Sequence, residues 1–398
     1  MASFKLKLGY NDIMITPAVL SGINSRSECN PFIDNGKTLP LFTAPMDTVV
    51  GEDNYRTFIV NGITPIIPRT VSLDRRIELL NENIWVSFSL KEFNDIFLTD
   101  NFEIDNPVKV LIDIANGHMG SLYEATKAAK DKHGDNIIIM TGNIANPKTY
   151  TEIVEMNAGV SYIRVGIGSG KGCLSTSNTG VGMGMASLIS EVYEEKKKLI
   201  ENGVCTCKMP KIIADGGIRN YSDVIKAIAL GADYVMIGSL FSQTVESAAH
   251  KITEDTKKNK SGADDIIDIS IFTNFRKDEN NVWYGDYCDE YIKLKENKLD
   301  GTKKKNIKIG KLLAKFYGMA SRDGQIALKG EKTKTSEGKT VYLPVLYTIS
   351  GWIENFKDYF KSAMSYTGKA NYFDFKGKVE LNVASDSYQR AINPIIVT

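Results

Sequence analysis

The sequence predicts an α/β fold, a single-domain (β/α)8 barrel, and three observations carry the prediction. Eight short apolar runs rich in β-branched residues follow one another at 41–44, 63–67, 84–88, 108–114, 136–141, 161–165, 211–214 and 233–237. Segments with helical periodicity lie between most of them, for example 121–132, 186–202 and 221–230. Glycine-rich loops follow the sixth, seventh and eighth runs. Continuous apolar runs of this length suit parallel strands covered on both faces. Strand–helix alternation implies a parallel sheet, and eight repeats within about 200 residues favour a closed barrel over an open sheet.

The element order breaks after the eighth run. Residues 248–312 are rich in Lys, Asp, Glu and Asn, including the charged stretches 257–260 and 303–305, and read as a polar insertion or mobile excursion with a solvated face. Beyond it, 351–366 has Trp352, Phe356 and Phe360 on one side and is expected to be the last barrel helix.

Bulk properties narrow the function. The 398 residues are 42% hydrophobic and 24% charged, with a formal net charge of +1. Such a globular, near-neutral chain has no general attraction for nucleic acid. No apolar run approaches a membrane span and the N-terminus lacks a basic-then-apolar leader, so the expectation is a cytoplasmic protein without a membrane partner. Five scattered cysteines and three histidines suggest no zinc set. In a reducing compartment a special cysteine is a nucleophile rather than a staple.

In a barrel of this class the loops after the strand C-termini carry the active site, with phosphate held after strands seven and eight. After the sixth run comes Gly166-Ile167-Gly168-Ser169-Gly170-Lys171-Gly172-Cys173, then Thr179-Gly180-Val181-Gly182-Met183-Gly184, seven glycines in nineteen residues. After the seventh comes Asp215-Gly216-Gly217 and after the eighth Gly238-Ser239, each leading towards a helix N-terminus that favours an anion. Cys173 lies in a glycine-rich loop beside Lys171, a setting that leaves sulfur reachable and is expected of a nucleophile.

These residues resemble the IMP dehydrogenase/GMP reductase family over most of the chain. The marks are Ala44-Pro45-Met46-Asp47-Thr48-Val49, Gly142-Asn143, Arg164-Val165-Gly166-Ile167-Gly168-Ser169-Gly170 leading to Cys173, and Ala214-Asp215-Gly216-Gly217-Ile218-Arg219. Met236-Ile237-Gly238-Ser239, Tyr317-Gly318-Met319-Ala320-Ser321 and Glu337-Gly338 complete them.

The resemblance implies that Cys173 bonds to C2 of a purine nucleoside monophosphate, GMP or IMP, while a hydride moves between C2 and a nicotinamide cofactor. It implies Asp215 on the ribose hydroxyls and Gly216, Gly217, Gly238, Ser239 and Lys171 around the phosphate. Met46, Tyr317, Gly318, Met319, Ala320 and Gly338 would complete the nucleotide site, with Arg164 and Asn143 beside it. Asp113, Ala115, Asn116, Gly166 and Arg69 would face the cofactor, NADPH in preference to NADH or NAD. Gly168, Gly170 and Cys173 would offer carbonyls to a monovalent cation, K+, and a homotetramer is implied as well.

Between the two reactions of the family, the resemblance favours the reductase. Only about twenty residues separate Ile67 from Val86, so the regulatory module that dehydrogenases insert there is absent. Fifteen residues separate Ser321 from Glu337 and contain no Arg-Tyr dipeptide, the water-activating pair of dehydrogenases. Asp113-Ile114-Ala115-Asn116-Gly117, Thr179-Gly180-Val181-Gly182 and Ser336-Glu337-Gly338-Lys339-Thr340-Val341 are similar to the reductase loops. Ser175 and Glu337 are then the expected acid–base pair, with Thr176 in reserve. Asp215-Gly216-Gly217-Ile218-Arg219 and Ala44-Pro45-Met46 are closer to the dehydrogenases, and Lys171 stands where both branches carry Ser. An IMP dehydrogenase without its regulatory module and a purine nucleotide-binding barrel without turnover are the alternatives.

Overall fold

The computed structural model describes residues 5–34, 36–99, 102, 104, 106–255, 266–288, 291, 305–331, 335–385 and 388. After a short strand β1 (Ile13–Ile15) come eight parallel strands: β2 (Leu41–Thr43), β3 (Ile66–Ile67), β4 (Trp85–Phe88), β5 (Val108–Ile112), β6 (Ile137–Ile144), β7 (Tyr162–Val165), β8 (Lys211–Asp215) and β9 (Tyr234–Ile237). They hydrogen-bond in sequence from β3 to β9, and β9 pairs with β2. A parallel bridge between Phe42 and Thr64 closes the ring, with Thr43 N donating to Thr64 O at 3.0 Å. The fold is the expected (β/α)8 barrel, built from all eight apolar runs.

Local chemistry explains where strand ends depart from expectation. The run 63–67 is regular only at Ile66–Ile67, because Pro65 has no N–H to give a ladder and Pro68 follows at once. The strand expected at 136–141 continues to Ile144, with a register shift against β7 between Gly142 and Ile144. That irregularity turns Asn143 towards the barrel mouth, as bulges beside active sites commonly do.

The lumen is filled by Phe42, Ile66, Trp85, Leu111, Met140, Ile213 and Met236, all buried, in the layered manner of this architecture. A larger apolar layer separates strands from helices. The helices Gly120–His133, Met185–Glu201 and Tyr221–Ala229 match the expected periodic segments. The helix Ile349–Tyr366 buries Trp352, Phe356 and Phe360, and Trp352 meets the Phe241 ring edge-on at 5.1 Å. No described helix is long and apolar enough to cross a membrane.

Two features were not expected. The described part of 248–312 forms strands: β10 (Lys251–Thr253), β11 (Phe272–Lys277), β12 (Trp283–Tyr287) and β13 (Ile307–Gly310), followed by β14 (Leu312–Tyr317) and β15 (Thr340–Pro344). These make two antiparallel sheets, β10-β14-β15 and β11-β12-β13. A satellite core of Val245, Ala249, Trp283, Leu312, Ala314 and Val345 anchors them, and Trp283 Nε1 donates to Val345 O at 3.0 Å. The charged residues 257–260, Lys303 and Lys304 lie outside the described residues, whereas Lys305 is exposed. Second, Cys205 and Cys207 are joined as a disulfide across the 3-10 turn at Thr206–Lys208, with their Cα atoms 5.2 Å apart. Finally, β1 pairs with β16 (Leu381–Val383).

Candidate active site

Three backbone segments converge over the sixth barrel strand. The glycine-rich loop after β7 supplies Cys173, the end of β14 supplies Tyr317–Ser321, and the approach to β15 supplies Glu337–Lys339. Cys173 forms an antiparallel bridge with Gly338, Leu174 N donates to Glu337 O at 2.7 Å, and Lys339 N donates to Gly172 O at 3.1 Å. Glycine is required where they cross: a Cβ at Gly318 would meet Gly172 O at 2.6 Å, and one at Gly172 would meet Gly318 N at 2.8 Å.

This lacing sets a file of three side chains. Cys173 Sγ lies 3.4 Å from Ser175 Oγ, and Ser175 Oγ donates to Glu337 Oε2 at 3.0 Å. Cys173 is half-buried and Glu337 is exposed, so the file opens to solvent. Thr176 is directed elsewhere: its hydroxyl bonds Ile167 O at 2.9 Å and Val181 O at 2.8 Å, and its side chain fills the space a Cβ at Gly168 would need. It staples the glycine-rich loop shut.

A second cluster crosses the barrel mouth. Arg164 is 8% exposed; its Nη1 donates to Asp113 Oδ1 at 2.8 Å and its Nε to Asp215 Oδ2 at 2.9 Å. Asn143 Nδ2 donates to the same Asp215 oxygen at 2.7 Å and to Gly166 O at 2.7 Å. Arg69 Nε lies 3.5 Å from Asp113 Oδ2 and, although buried, has no hydrogen bond. Burial opposes the Arg164 charge, but Asp215 and Asp113 outweigh it and raise its pKa above the ordinary value. Ala115 and Asn116 are exposed beside this cluster, and Gly117 N docks their loop on Asn143 O at 3.0 Å.

The glycine turns after β8 and β9 and the glycine-rich loop lie between these clusters. Ser169 Oγ donates to Asp215 O at 3.2 Å and occupies the side of Gly216 where a Cβ would stand. Gly216 and Gly217 have φ of +93° and +75°, conformations open to glycine. Gly238 opens onto Ala44 and the Met46 sulfur, each 3.5 Å from a Cβ built there, and Ser239 begins the next helix. Lys171 is exposed at the second position of a turn closed by Cys173 N on Gly170 O at 3.0 Å. Among the described residues the two clusters share no direct hydrogen bond; Ser169 joins the glycine-rich loop to Asp215.

Sequence reasoning missed Asp47 and Ser169 as working residues. Tyr317 donates its hydroxyl to Asp47 Oδ2 at 2.7 Å, while Asp47 Oδ1 is buried without a partner. Burial pushes the Asp47 carboxyl up, against the Tyr317 hydrogen bond. Asp47 was visible within the motif after the first strand, but its link to Tyr317, 270 positions away, was not. Met319 and Ala320 lie on the same turn, where Ala320 O accepts from Glu337 N at 3.1 Å.

A family model described as IMP dehydrogenase / GMP reductase domain matches residues 101–264. A GMP reductase of Streptococcus suis is 34% identical over 259 residues, 63% of this chain and 75% of that protein. One from Staphylococcus epidermidis is 34% identical over 264 residues, covering 63% and 76%. One from Oceanobacillus iheyensis is 33% identical over 261 residues, covering 63% and 75%. The chain belongs to the IMP dehydrogenase/GMP reductase family and is an enzyme of it.

Proposed function

We propose that the protein is a GMP reductase, converting GMP to IMP and ammonia at the expense of NADPH. The observation that carries this reading is the file Cys173–Ser175–Glu337, a nucleophile whose neighbouring hydroxyl hands protons to and from a solvent-reachable carboxylate. The short connection between Ser321 and Glu337, without an Arg-Tyr pair, supports reductase over dehydrogenase.

In this reading Cys173 Sγ adds to C2 of GMP. Glu337 and Ser175 pass a proton to the exocyclic amine, the C2–N bond breaks and ammonia leaves. A bound reduced nicotinamide supplies the hydride that C2 then takes up. The C–S bond breaks, Cys173 departs as thiolate and IMP is released. Asp215 grips the ribose with Oδ1, because Oδ2 is already engaged by Arg164 and Asn143. Gly216, Gly217, Gly238, Ser239, Ser169 and Lys171 receive the phosphate. The cofactor would lie against Asp113, Ala115, Asn116, Gly166 and Arg69; the buried, unbonded Arg69 Nε fits a polar group arriving there. The carbonyls of Gly168, Gly170 and Cys173 would offer oxygens without a carboxylate charge to a monovalent cation such as K+ that would order the loop, although Gly170 O already accepts from Cys173 N at 3.0 Å. The chain acts as one catalytic barrel, with 248–312 inserted after the eighth strand.

Absorbance at 340 nm tests the proposal. GMP with NADPH and potassium should give a fall matched by ammonia release. A rise with IMP and NAD, without a fall in the first mixture, would replace it by dehydrogenation; nucleotide binding with neither change would leave a binding protein without turnover.

A further inference from the structure

We propose that Arg164 is a positioning residue that couples nucleotide and cofactor binding, because one buried guanidinium fixes the carboxylate of each subsite. The inference rests on the assignment of Asp215 to the nucleotide and Asp113 to the cofactor.

Arg164 leaves β7 between the two carboxylates and is enclosed by them rather than presented to a ligand. Its Nε and Nη2 both approach Asp215 Oδ2 at 2.9 Å, while Nη1 reaches Asp113 Oδ1 at 2.8 Å. Two sides of one rigid plane are therefore committed to two strand ends, Asp113 just after β5 and Asp215 closing β8. A lysine is a single point charge and could satisfy one carboxylate but not hold both in fixed relation. With Asn143 also on Asp215 Oδ2, that oxygen is saturated and the carboxylate plane is set; Oδ1 is the atom left for a ligand. At the far end Asp113 Oδ2 faces Arg69, so the charges alternate Arg69, Asp113, Arg164, Asp215 across the mouth. A ligand that orders either aspartate orders the guanidinium, and through it the other aspartate. The second ligand then meets a site already set, which is positive coupling, equal in both directions.

The test is calorimetric binding of GMP to the full chain, alone and with saturating NADP+, which has no hydride to give. Wild type should bind GMP at least about fivefold tighter with NADP+ present, the lower end of typical couplings. In Arg164→Lys, checked for folding by its thermal midpoint, the factor should fall to within about twofold. Asp113→Asn gives a second reading without cofactor: GMP alone should bind several-fold more weakly, although Asp113 is assigned to the other ligand. Wild type without coupling, Arg164→Lys with the full factor, or Asp113→Asn with unchanged GMP affinity would each overturn the inference. Failure of wild type to bind GMP under either condition would remove the functional reading itself, and this inference with it.

Discussion

The barrel holds an aspartate near each end, buried Asp233 and half-buried Asp215, and they are treated differently. At the strand N-termini, Asp233 Oδ2 accepts from Lys196 at 3.0 Å and Ile212 N at 2.8 Å, its Oδ1 meets Lys376, and its carbonyl takes the Tyr372 hydroxyl at 2.6 Å. Every acceptor is used. At the strand C-termini, Asp215 crowds Arg164 and Asn143 onto Oδ2, and among the described residues its Oδ1 has no hydrogen bond. Both clusters meet the requirement that a buried charge be paired. Among the described residues, only the upper one keeps a carboxylate oxygen without a hydrogen bond, and that, more than charge, separates a site from a strut. It also agrees with the division of labour in such barrels, chemistry above and stability below.

The comparison is sharpest where a substitution should affect activity or stability but not both. Cys173→Ser should lower turnover on the order of 10³-fold or more while the thermal midpoint stays that of wild type. Glu337→Gln and Ser175→Ala should each lower kcat about 10²-fold, and the double variant should lose little beyond either single, since the pair acts as one relay. At the other end, Asp233→Asn should cost about 3 kcal/mol of stability in urea unfolding, with activity per folded molecule intact. A loss of specific activity there would break the distinction between the two ends.

A smaller effect separates them by pH. Burial pushes the Asp233 carboxyl up, but Lys196 and Lys376 outweigh it and hold it below the usual carboxylate range. A lowered folded pKa contributes stability that is present above the unfolded value of about 3.9 and is lost as pH falls through the folded value. Wild type should therefore lose stability on acidification below about pH 4, and Asp233→Asn should lose less over the same range.

The barrel was legible because strands covered on both faces are written as continuous apolar runs, with helical periods between them. The catalytic end was legible because sharp turns against other backbones demand glycine, so Gly166–Gly172, Gly216–Gly217 and Gly238 marked the loops before any geometry was known. Pairings across long separations were not. Nothing local says that Arg164 lies between Asp113 and Asp215, that Asp47 serves Tyr317, or that Thr176 spends its hydroxyl on the loop's own carbonyls. The strands of 248–312 were hidden by composition: β11 is largely exposed, so its polar residues read as a solvated insertion, although Trp283 and Phe275 pack into the satellite core. The pairing of β1 with β16 joins three-residue segments too short to show a period.

Covalent chemistry at Cys173 is the centre of the account, and acid quenching during turnover of GMP with NADPH tests it most directly. Digestion and mass analysis should find a purine nucleotide, lighter than GMP by ammonia, on the peptide that carries Cys173. Steady consumption of NADPH with no such mass on that peptide, or with the mass on another cysteine, would contradict the account.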